Sequence, residues 1–502
     1  MKNSSIAEMG ALLAQRLDTS TETQTRDVDA VIAASIGNID KMALAGNVGV
    51  AEADVEDVMP VSAGQLYMLA RWEQTGGAQF EANFQYKLTG AIDQERLERA
   101  WEALTRRHAI LRTVFSFVQD EEVRAIQVVV KERSNPVKYG NAAETAVSLL
   151  EPVFLVVDKA EGQKTISLRL LHAVYDGISL QLLFRDLETL YSSPSSALPP
   201  SPSFKDFIAR DLDEGSRKAQ RTFWESYLPP TQELVSVPET PDLTRRVEIF
   251  KPSLPIGDIA STARRAGVSV DALLLAAFSK AYEVTKTERA TSGDDETVIG
   301  LYLANRSAAV DLSELVAPTL NLVALRIQAT GGVEEVAGGV QRDLVRLGEV
   351  ENVGVSLVDV YRWTGRRVGV FVNVLKDTSS SSSDAEIGDE KANQLFTESL
   401  SEVDMLRPRA EVISVLPNPA LLTAFAERDE KLRGAYLVSP PSFMEKPLST
   451  ILTAYQPSVD IELRLVDGGK ALDVGLFAPE GVLGLREGER LVDVLGEVLR
   501  GL

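Results

Sequence analysis

From Phe80 the chain alternates apolar and polar residues through Ala82, Phe84, Tyr86 and Leu88, a period of two that predicts a half-buried strand. Gly90 turns the chain, and Asp93 stands where an N-cap would open a helix whose apolar positions Leu97, Trp101 and Leu104 recur at three and four residues. LRTVFSF (111–117) and VRAIQVVV (123–130) read as further strands. Ile166, Leu168 and Leu170 share the parity of another, and Ser179 to Leu190 returns to helical spacing through Leu182, Leu183 and Leu187. Past residue 245, DALLLAAFSKAYEV (271–284) is the most apolar helix, and TVIGLYLA (297–304) and VALRI (323–327) are buried strands. VDIELRLV (459–466), Asp467-Gly468-Gly469 and ALDVGLFA (471–478) form a hairpin before the last helix. The two periods alternate as in a mixed α/β chain. No short repeat is visible, which excludes solenoids and propellers.

The spacing also divides the chain. Residues 5–17 carry a capping box at Ser5 and Glu8 and an apolar stripe of Ile6, Met9, Leu13 and Leu17, a short amphipathic helix. TSTETQT (19–25) is a polar linker, and a mildly apolar stretch leads to DVEDVMPVS (54–62), so the main domain starts near Asp54. The Pro/Ser-rich SSPSSALPPSPS (192–203) and the polar DLTRRVE (242–248) bracket FKDFIARDL and RTFWESYLPP, marking a passage from one lobe, 54–240, to a second, 241–502. SSSSSDAE (379–386) is a low-complexity excursion.

Composition narrows the chemistry. The 502 residues include no cysteine and two histidines, His108 and His172, which excludes thiolate metal sites, cysteine nucleophiles and a polyhistidine cage. With 73 acidic against 52 basic residues the formal charge is −21, which disfavours nucleic acid as a partner. The N-terminus lacks the charged head and apolar run of a signal peptide, and no stretch approaches the roughly 18 apolar residues of a membrane span. A monomeric protein of the reducing cytoplasm, with no membrane partner, is the expectation. There is no G-x-S-x-G elbow, phosphate loop or G-x-G-x-x-G fingerprint.

The sharpest local feature is LRLLHAVYDGISL (168–180). If the strand persists, His172 shares the parity of Leu168 and Leu170, and its imidazole leaves on a buried face. Asp176 and Gly177 form a tight turn into the next helix. Taken alone, H-x-x-x-D-G is a weak pattern, and a core histidine is the ordinary outcome. Its company changes the balance: SAGQLYML (62–69), RHAILRTVF (107–115), FKDF (204–207) with FWESYL (223–228), and VAPTLNLVALR (316–326) surround it in one order.

That ordered set resembles the condensation domains of nonribosomal peptide synthetases, whose signatures run SxAQxRLW, RHExLRTxF, HHxxxDG, YxDYxxW and IGxFVNTxxxR. HAVYDGISL, VDVYRWTG (358–365) and PSFM (441–444) look most like fungal siderophore, hydroxamate-type, synthetases. The helix SSIAEMGALL resembles the tail of an upstream carrier domain, so 1–53 reads as that tail plus linker.

The resemblance implies two chloramphenicol-acetyltransferase-like lobes arranged as a V-shaped pseudo-dimer, with a tunnel between them. It implies acyl transfer from a carrier-bound thioester to a carrier-bound amine. Substrates arrive on phosphopantetheine arms of upstream and downstream carrier domains, beside an adenylation domain, and no cofactor is tightly bound. His172 matches the histidine that acts on or holds the nucleophile, and Gly177 lies where backbone amides approach the thioester oxygen. Asp176 matches the aspartate that orients the loop through an arginine, with Arg306 in LANRS preferred and Arg326 the alternative. Asn321, Tyr175 and Ser179 are placed along the tunnel.

Three residues depart from the family pattern. Leu171 replaces its first histidine, Ala109 its glutamate and Tyr67 its arginine. His108 reads as a cation at a helix C-terminus or a packed interlobe residue, Arg112 as a structural ion-pair donor, and Trp72, Trp101 and Trp224 as packing. Three other functions stay open: a coenzyme A-dependent acyltransferase of the same superfamily, though its DFGWG-like phrase is missing; a degenerate platform that docks carriers; and a terminal domain that cyclises or oligomerises a peptidyl chain.

Overall fold

A computed structural model describes residues 27–376 and 459–502, apart from 38, 40, 75–79, 89–92, 119–122, 141–144, 159–163, 195–196, 213, 231–245, 288–295, 304–309, 349–353 and 367. The expected helix over 5–17, the linker 19–25, the serine run and PSFM lie outside the described residues.

Helical structure is present before Asp54. Helices α1 (Val28–Ser35) and α2 (Lys41–Asn47) precede strand β1 (Val55–Pro60). Ile36, Leu44 and Val48 close an apolar cluster with Val58, Val114, Ile126 and Val128. The stretch expected to be linker is therefore, from residue 27, a helical cover on a sheet. Lys205 reinforces it by pairing with both Asp29 and Asp57. A recess of about 380 Å³ lies beneath this cover, lined by Asp29, Ile32, Ile36, Val58 and Lys205 among others.

Next come α3 (Ala63–Gln74), β2 (Glu81–Leu88), α4 (Gln94–Arg107), β3 (Thr113–Phe117), β4 (Ala125–Val130), β5 (Lys138–Tyr139), β6 (Val153–Asp158), β7 (Lys164–Leu171), α5 (Gly177–Ser192) and α6 (Phe204–Asp211). Asp93 caps α4 by accepting from the Arg96 N–H at 3.0 Å, and Leu97, Trp101 and Leu104 are buried as the spacing predicts. α7 (Glu214–Tyr227) leads across to the second lobe, where the Tyr227 hydroxyl donates to Asp343 at 3.1 Å.

The second lobe is built from β8 (Arg246–Pro255), α8 (Ile259–Ala266), α9 (Val270–Thr287), β9 (Glu296–Leu303), β10 (Asn321–Gln328), α10 (Val333–Leu347), α11 (Leu357–Thr364), β11 (Val370–Lys376), β12 (Val459–Val466), β13 (Ala471–Pro479) and α12 (Leu485–Arg500). Ala272 to Phe278 of α9 are fully buried, because this helix is apolar on every side. Gly468 and Gly469 adopt positive φ in the turn between β12 and β13, a conformation glycine enters without a Cβ penalty.

Among the described residues the strands form three sheets, ordered β1-β4-β3, β2-β7-β6-β5 and β10-β9-β11-β12-β13-β8. No helix among them is long and apolar enough to cross a membrane.

The lobes meet along α3. Ser62 and Gln65 form a reciprocal capping box at its start, with the Ser62 N–H on Gln65 Oε1 at 2.9 Å and the Gln65 N–H on Ser62 Oγ at 3.1 Å. Two turns on, Arg71 reaches Asp460 of β12 at 3.5 Å, and the Tyr67 hydroxyl lies 3.2 Å from that of Tyr302 on β9. Gly64 faces the chain just before β10 so closely that a Cβ there would lie 1.9 Å from the Leu320 carbonyl oxygen.

Candidate active site

Strand β7 does not persist to His172. It ends at Leu171, and His172–Val174 form a single 3-10 turn before Asp176 opens α5. The imidazole is buried as expected, at 5% exposure, but the turn directs it, not strand parity. Its backbone N–H donates to the Phe80 carbonyl at 2.8 Å. Phe80 presents that carbonyl with φ of 61°, a left-handed conformation that costs about 1–3 kcal/mol in a bulky residue and marks a locally over-determined site. The Phe80 ring lies 6.0 Å from that of His172.

The ring is fixed further from within the loop. Nδ1 lies 3.1 Å from the Tyr175 carbonyl, which can only accept, so the proton sits on Nδ1 and Nε2 keeps its lone pair. Among the described residues no partner is recorded for Nε2. Burial lowers the His172 pKa below its ordinary value, partly opposed by the Asp176 charge, so the neutral ring dominates at pH 7.

Asp176 is the N-cap of α5 and a joint between the lobes. Oδ1 accepts from the Ser179 N–H at 2.8 Å and the Ser179 hydroxyl at 2.7 Å. Oδ2 accepts from the Thr319 N–H and hydroxyl, both at 3.1 Å. Arg306, the preferred partner, lies outside the described residues. Arg326, the alternative, is engaged elsewhere: its guanidinium sits over the Tyr227 ring and 4.0 Å from Glu296.

Ser179 and Asn321, both expected along the tunnel, make hydrogen bonds within the protein. Ser179 is fully buried, and its hydroxyl lies 2.8 Å from the Ala317 carbonyl while accepting from the Ala317 N–H at 3.1 Å. Asn321 donates to the Val355 carbonyl at 2.9 Å and accepts from the Leu322 N–H at 2.8 Å. VAPTLN is thus a strap: Ala317 grips Ser179, Thr319 grips Asp176, and Leu320 abuts Gly64. Tyr175 does sit against the histidine, with ring centroids 4.4 Å apart and planes tilted by 16°.

Gly177 is the first residue of α5, where N–H groups lack helical acceptors and carry the positive end of the helix dipole. It is exposed, and a Cβ added there would meet nothing within 4 Å, so space is open beside that backbone. Leu171 is 1% exposed and belongs to the apolar core.

Sequence reasoning overlooked Gln65 and Phe80. The Gln65 amide donates to the Ala173 carbonyl at 2.9 Å, bracing the histidine turn from α3. The glutamine shared with the first signature was its only signal.

His108 is neither a cation nor interlobe. Burial lowers its pKa, and Nε2 lies 3.0 Å from Asp186 on α5 within the same lobe, with the Ser201 hydroxyl 3.3 Å from Nδ1. This serine–histidine–aspartate chain is a clamp, since Asp186 also takes Arg107 at 2.8 Å and Arg185 at 3.0 Å. Arg112 is structural, holding Glu56 at 2.6 Å and the Val130 carbonyl. Trp101 and Trp224 are core residues. Among the described residues no three His, Asp or Glu side chains converge on a metal position.

The nonribosomal peptide synthetase 2 of Cochliobolus heterostrophus is 33% identical over 509 residues, covering 97% of this chain. The nonribosomal peptide synthetase sidC of Arthroderma benhamiae is 32% identical over 485 residues, covering 88%. The chain spans 9% of the length of each of these relatives.

Solved structures share the fold. A protein described as CT has a TM-score of 0.60 at 17% identity, covering 92% of this chain and 96% of its own. The condensation domain of the monacolin K polyketide synthase MokA has a TM-score of 0.59 at 17% identity, covering 89% and 98%. The fold is therefore the two-lobed, chloramphenicol-acetyltransferase-like one. The family model described as Condensation domain matches residues 55–151 and 153–359, more than half of the sequence, and the chain belongs to the condensation domain family.

Proposed function

We propose that this chain transfers an acyl group from a thioester donor to an amine acceptor, both carried on phosphopantetheine arms of neighbouring carrier domains, in nonribosomal synthesis of a siderophore-type peptide. The amine nitrogen attacks the thioester carbonyl, the C–N bond forms as the C–S bond breaks, and the amine proton passes through His172 to the departing thiolate. The observation that carries this reading is the His172 ring, its Nδ1 tied to the Tyr175 carbonyl at 3.1 Å and its Nε2 lone pair left to accept a proton. Burial keeps the ring neutral, the form a base requires. The Gly177 N–H, at the start of α5, is suited to receive the oxyanion. Asp176 acts by holding the loop. Carrier domains on either side and an adenylation domain in the parent polypeptide are the partners this reading requires.

The test is His172→Ala in this chain, with separately supplied loaded carriers. Acyl transfer should fall by roughly 10²- to 10⁴-fold while the fold persists. Turnover at the wild-type rate would refute the assignment of His172.

A further inference from the structure

Two buried glutamines stand behind the histidine turn. The amides of Gln65 on α3 and Gln127 on β4 pair with each other, Gln127 Nε2 donating to Gln65 Oε1 at 3.1 Å and Gln65 Nε2 to Gln127 Oε1 at 3.3 Å. Gln65 Oε1 also accepts the Ser62 N–H at 2.9 Å, and Gln65 Nε2 also donates to the Ala173 carbonyl at 2.9 Å. A primary amide has two donors and two acceptor positions, and all four of these are filled, so the Gln65 amide is fixed in one orientation. Gln127 is held in turn by the Pro60 carbonyl at 3.0 Å. Ala173 follows His172 in the same 3-10 turn, and the other side of that turn is anchored by the His172 N–H on the Phe80 carbonyl. A fully satisfied buried polar network specifies geometry, and this one ends on the backbone that carries the imidazole.

We propose that Gln65 is a positioning residue for the transfer reaction: its amide holds the His172 turn in register with α3, so that the ring keeps one orientation and one tautomer. This inference rests on the transfer reading given above. Gln65 is fully buried and touches no reacting atom; it acts through the Ala173 carbonyl alone. Without that donor the turn keeps its Phe80 anchor but loses the opposite one, and the Nδ1 contact with the Tyr175 carbonyl at 3.1 Å is no longer enforced. A displacement of about 1 Å at a reacting group can cost about 10²-fold in rate, so a residue outside contact distance can govern kcat. Gly64, its neighbour in sequence, lies against the Leu320 carbonyl, so the frame to which the imidazole is referred is the helix where the lobes meet.

The experiment compares Gln65→Met with the wild-type chain by transfer between loaded carriers and by NMR of the histidine ring nitrogens. The chain has two histidines, so the ring signals that vanish in His172→Ala belong to His172 and the rest to His108. We expect kcat to fall by roughly 10- to 100-fold with KM for either loaded carrier within about twofold of wild type. The His172 nitrogens should leave the Nδ1–H tautomer pattern while the His108 signals stay in place. Ser62→Ala is the control for stability alone: it removes the hydroxyl that accepts the Gln65 N–H, leaves the Gln65 side chain its partners, and should lower the melting temperature with neither effect. Should Gln65→Met not fold, Gln65→Asn, whose shorter side chain draws the amide back from Ala173, is read in the same way. A folded variant with wild-type kcat or with unmoved His172 signals would overturn the inference, and so would an equal loss of rate in Ser62→Ala. His172→Ala run alongside keeps the two readings apart: its failure to lose activity strikes the transfer reading, while an unaffected Gln65 variant beside an inactive His172→Ala strikes only this one.

Discussion

Replacing Asp176 by alanine removes one carboxylate and unfastens two interfaces. Its Oδ1 caps α5 through the Ser179 N–H at 2.8 Å, and an N-cap substituted by alanine costs about 1 kcal/mol. Its Oδ2 takes the Thr319 N–H and hydroxyl at 3.1 Å, and both would be left buried without an acceptor, at about 1–3 kcal/mol each. The Ser179 hydroxyl is spared, because the Ala317 carbonyl at 2.8 Å can still accept its proton. Together these give about 3–7 kcal/mol. Asp176→Asn keeps one acceptor oxygen for the cap but turns an amide N–H₂ towards the Thr319 donors, so about half of that loss is expected. Urea unfolding followed by circular dichroism reads the stability, and transfer between loaded carriers reads the activity. Both should fall together, because the cap, the strap and the His172 turn are one assembly. An Asp176→Ala protein with the wild-type unfolding midpoint and reduced turnover would refute the reasoning and give the carboxylate a direct part in the chemistry.

Two further outcomes follow from burial. His108 and His172 are both held below their ordinary pKa of 6.5 by desolvation, so the unfolded chain takes up protons near that pH that the folded chain does not. Their contribution is complete above pH 6.5 and is lost as the pH falls through it; equal urea midpoints at pH 7.5 and 5.5 would contradict this. Asp186 acts lower on the scale: burial pushes it up, but hydrogen bonds from His108, Arg107 and Arg185 outweigh that and hold it at about 2 against 3.8, so its contribution is present above 3.8 and lost towards 2. Gly64→Ala places a Cβ 1.9 Å from the Leu320 carbonyl oxygen, which is backbone and cannot rotate away. The lobes must move apart, at about 1–3 kcal/mol with a loss of transfer, and a variant with unchanged stability and rate would show that this seam is loose.

How far the sequence could be read depended on the kind of signal. Elements with a strong period came through: α4 with Asp93 as its cap, the apolar α9, and the β12–β13 hairpin all lie where spacing and turn residues put them. The His172 loop was legible as a motif, but its orientation was not, because β7 stops one residue short and a 3-10 turn sets the ring. The cover at 28–47 was missed since its short helices bury their apolar residues only against a sheet that arrives later in the chain. The roles of Ser179, Asn321 and Gln65 were hidden for a related reason. Each is decided by a partner across the lobe seam or far along the chain, such as the 138 residues between Ser179 and Ala317, and no local pattern encodes that distance.

The same long-range contacts decide what the three departures mean. Ala109 removes a glutamate beside Arg112, yet Arg112 has its carboxylate in Glu56, delivered from β1 at 2.6 Å. Tyr67 removes an arginine, yet Arg71 one turn along α3 reaches Asp460, and Tyr67 itself meets Tyr302, Phe371 and Phe80. Leu171 replaces a histidine with an apolar residue in an apolar core, where an imidazole would need a partner that leucine does not. At each of the three positions the residue present is accommodated by its own neighbours in space. Around His172 the chain keeps a strained Phe80 whose carbonyl takes the His172 N–H, and a glutamine brace on Ala173. These features cost stability or specify geometry at one imidazole, which supports the catalytic reading proposed above over a degenerate platform.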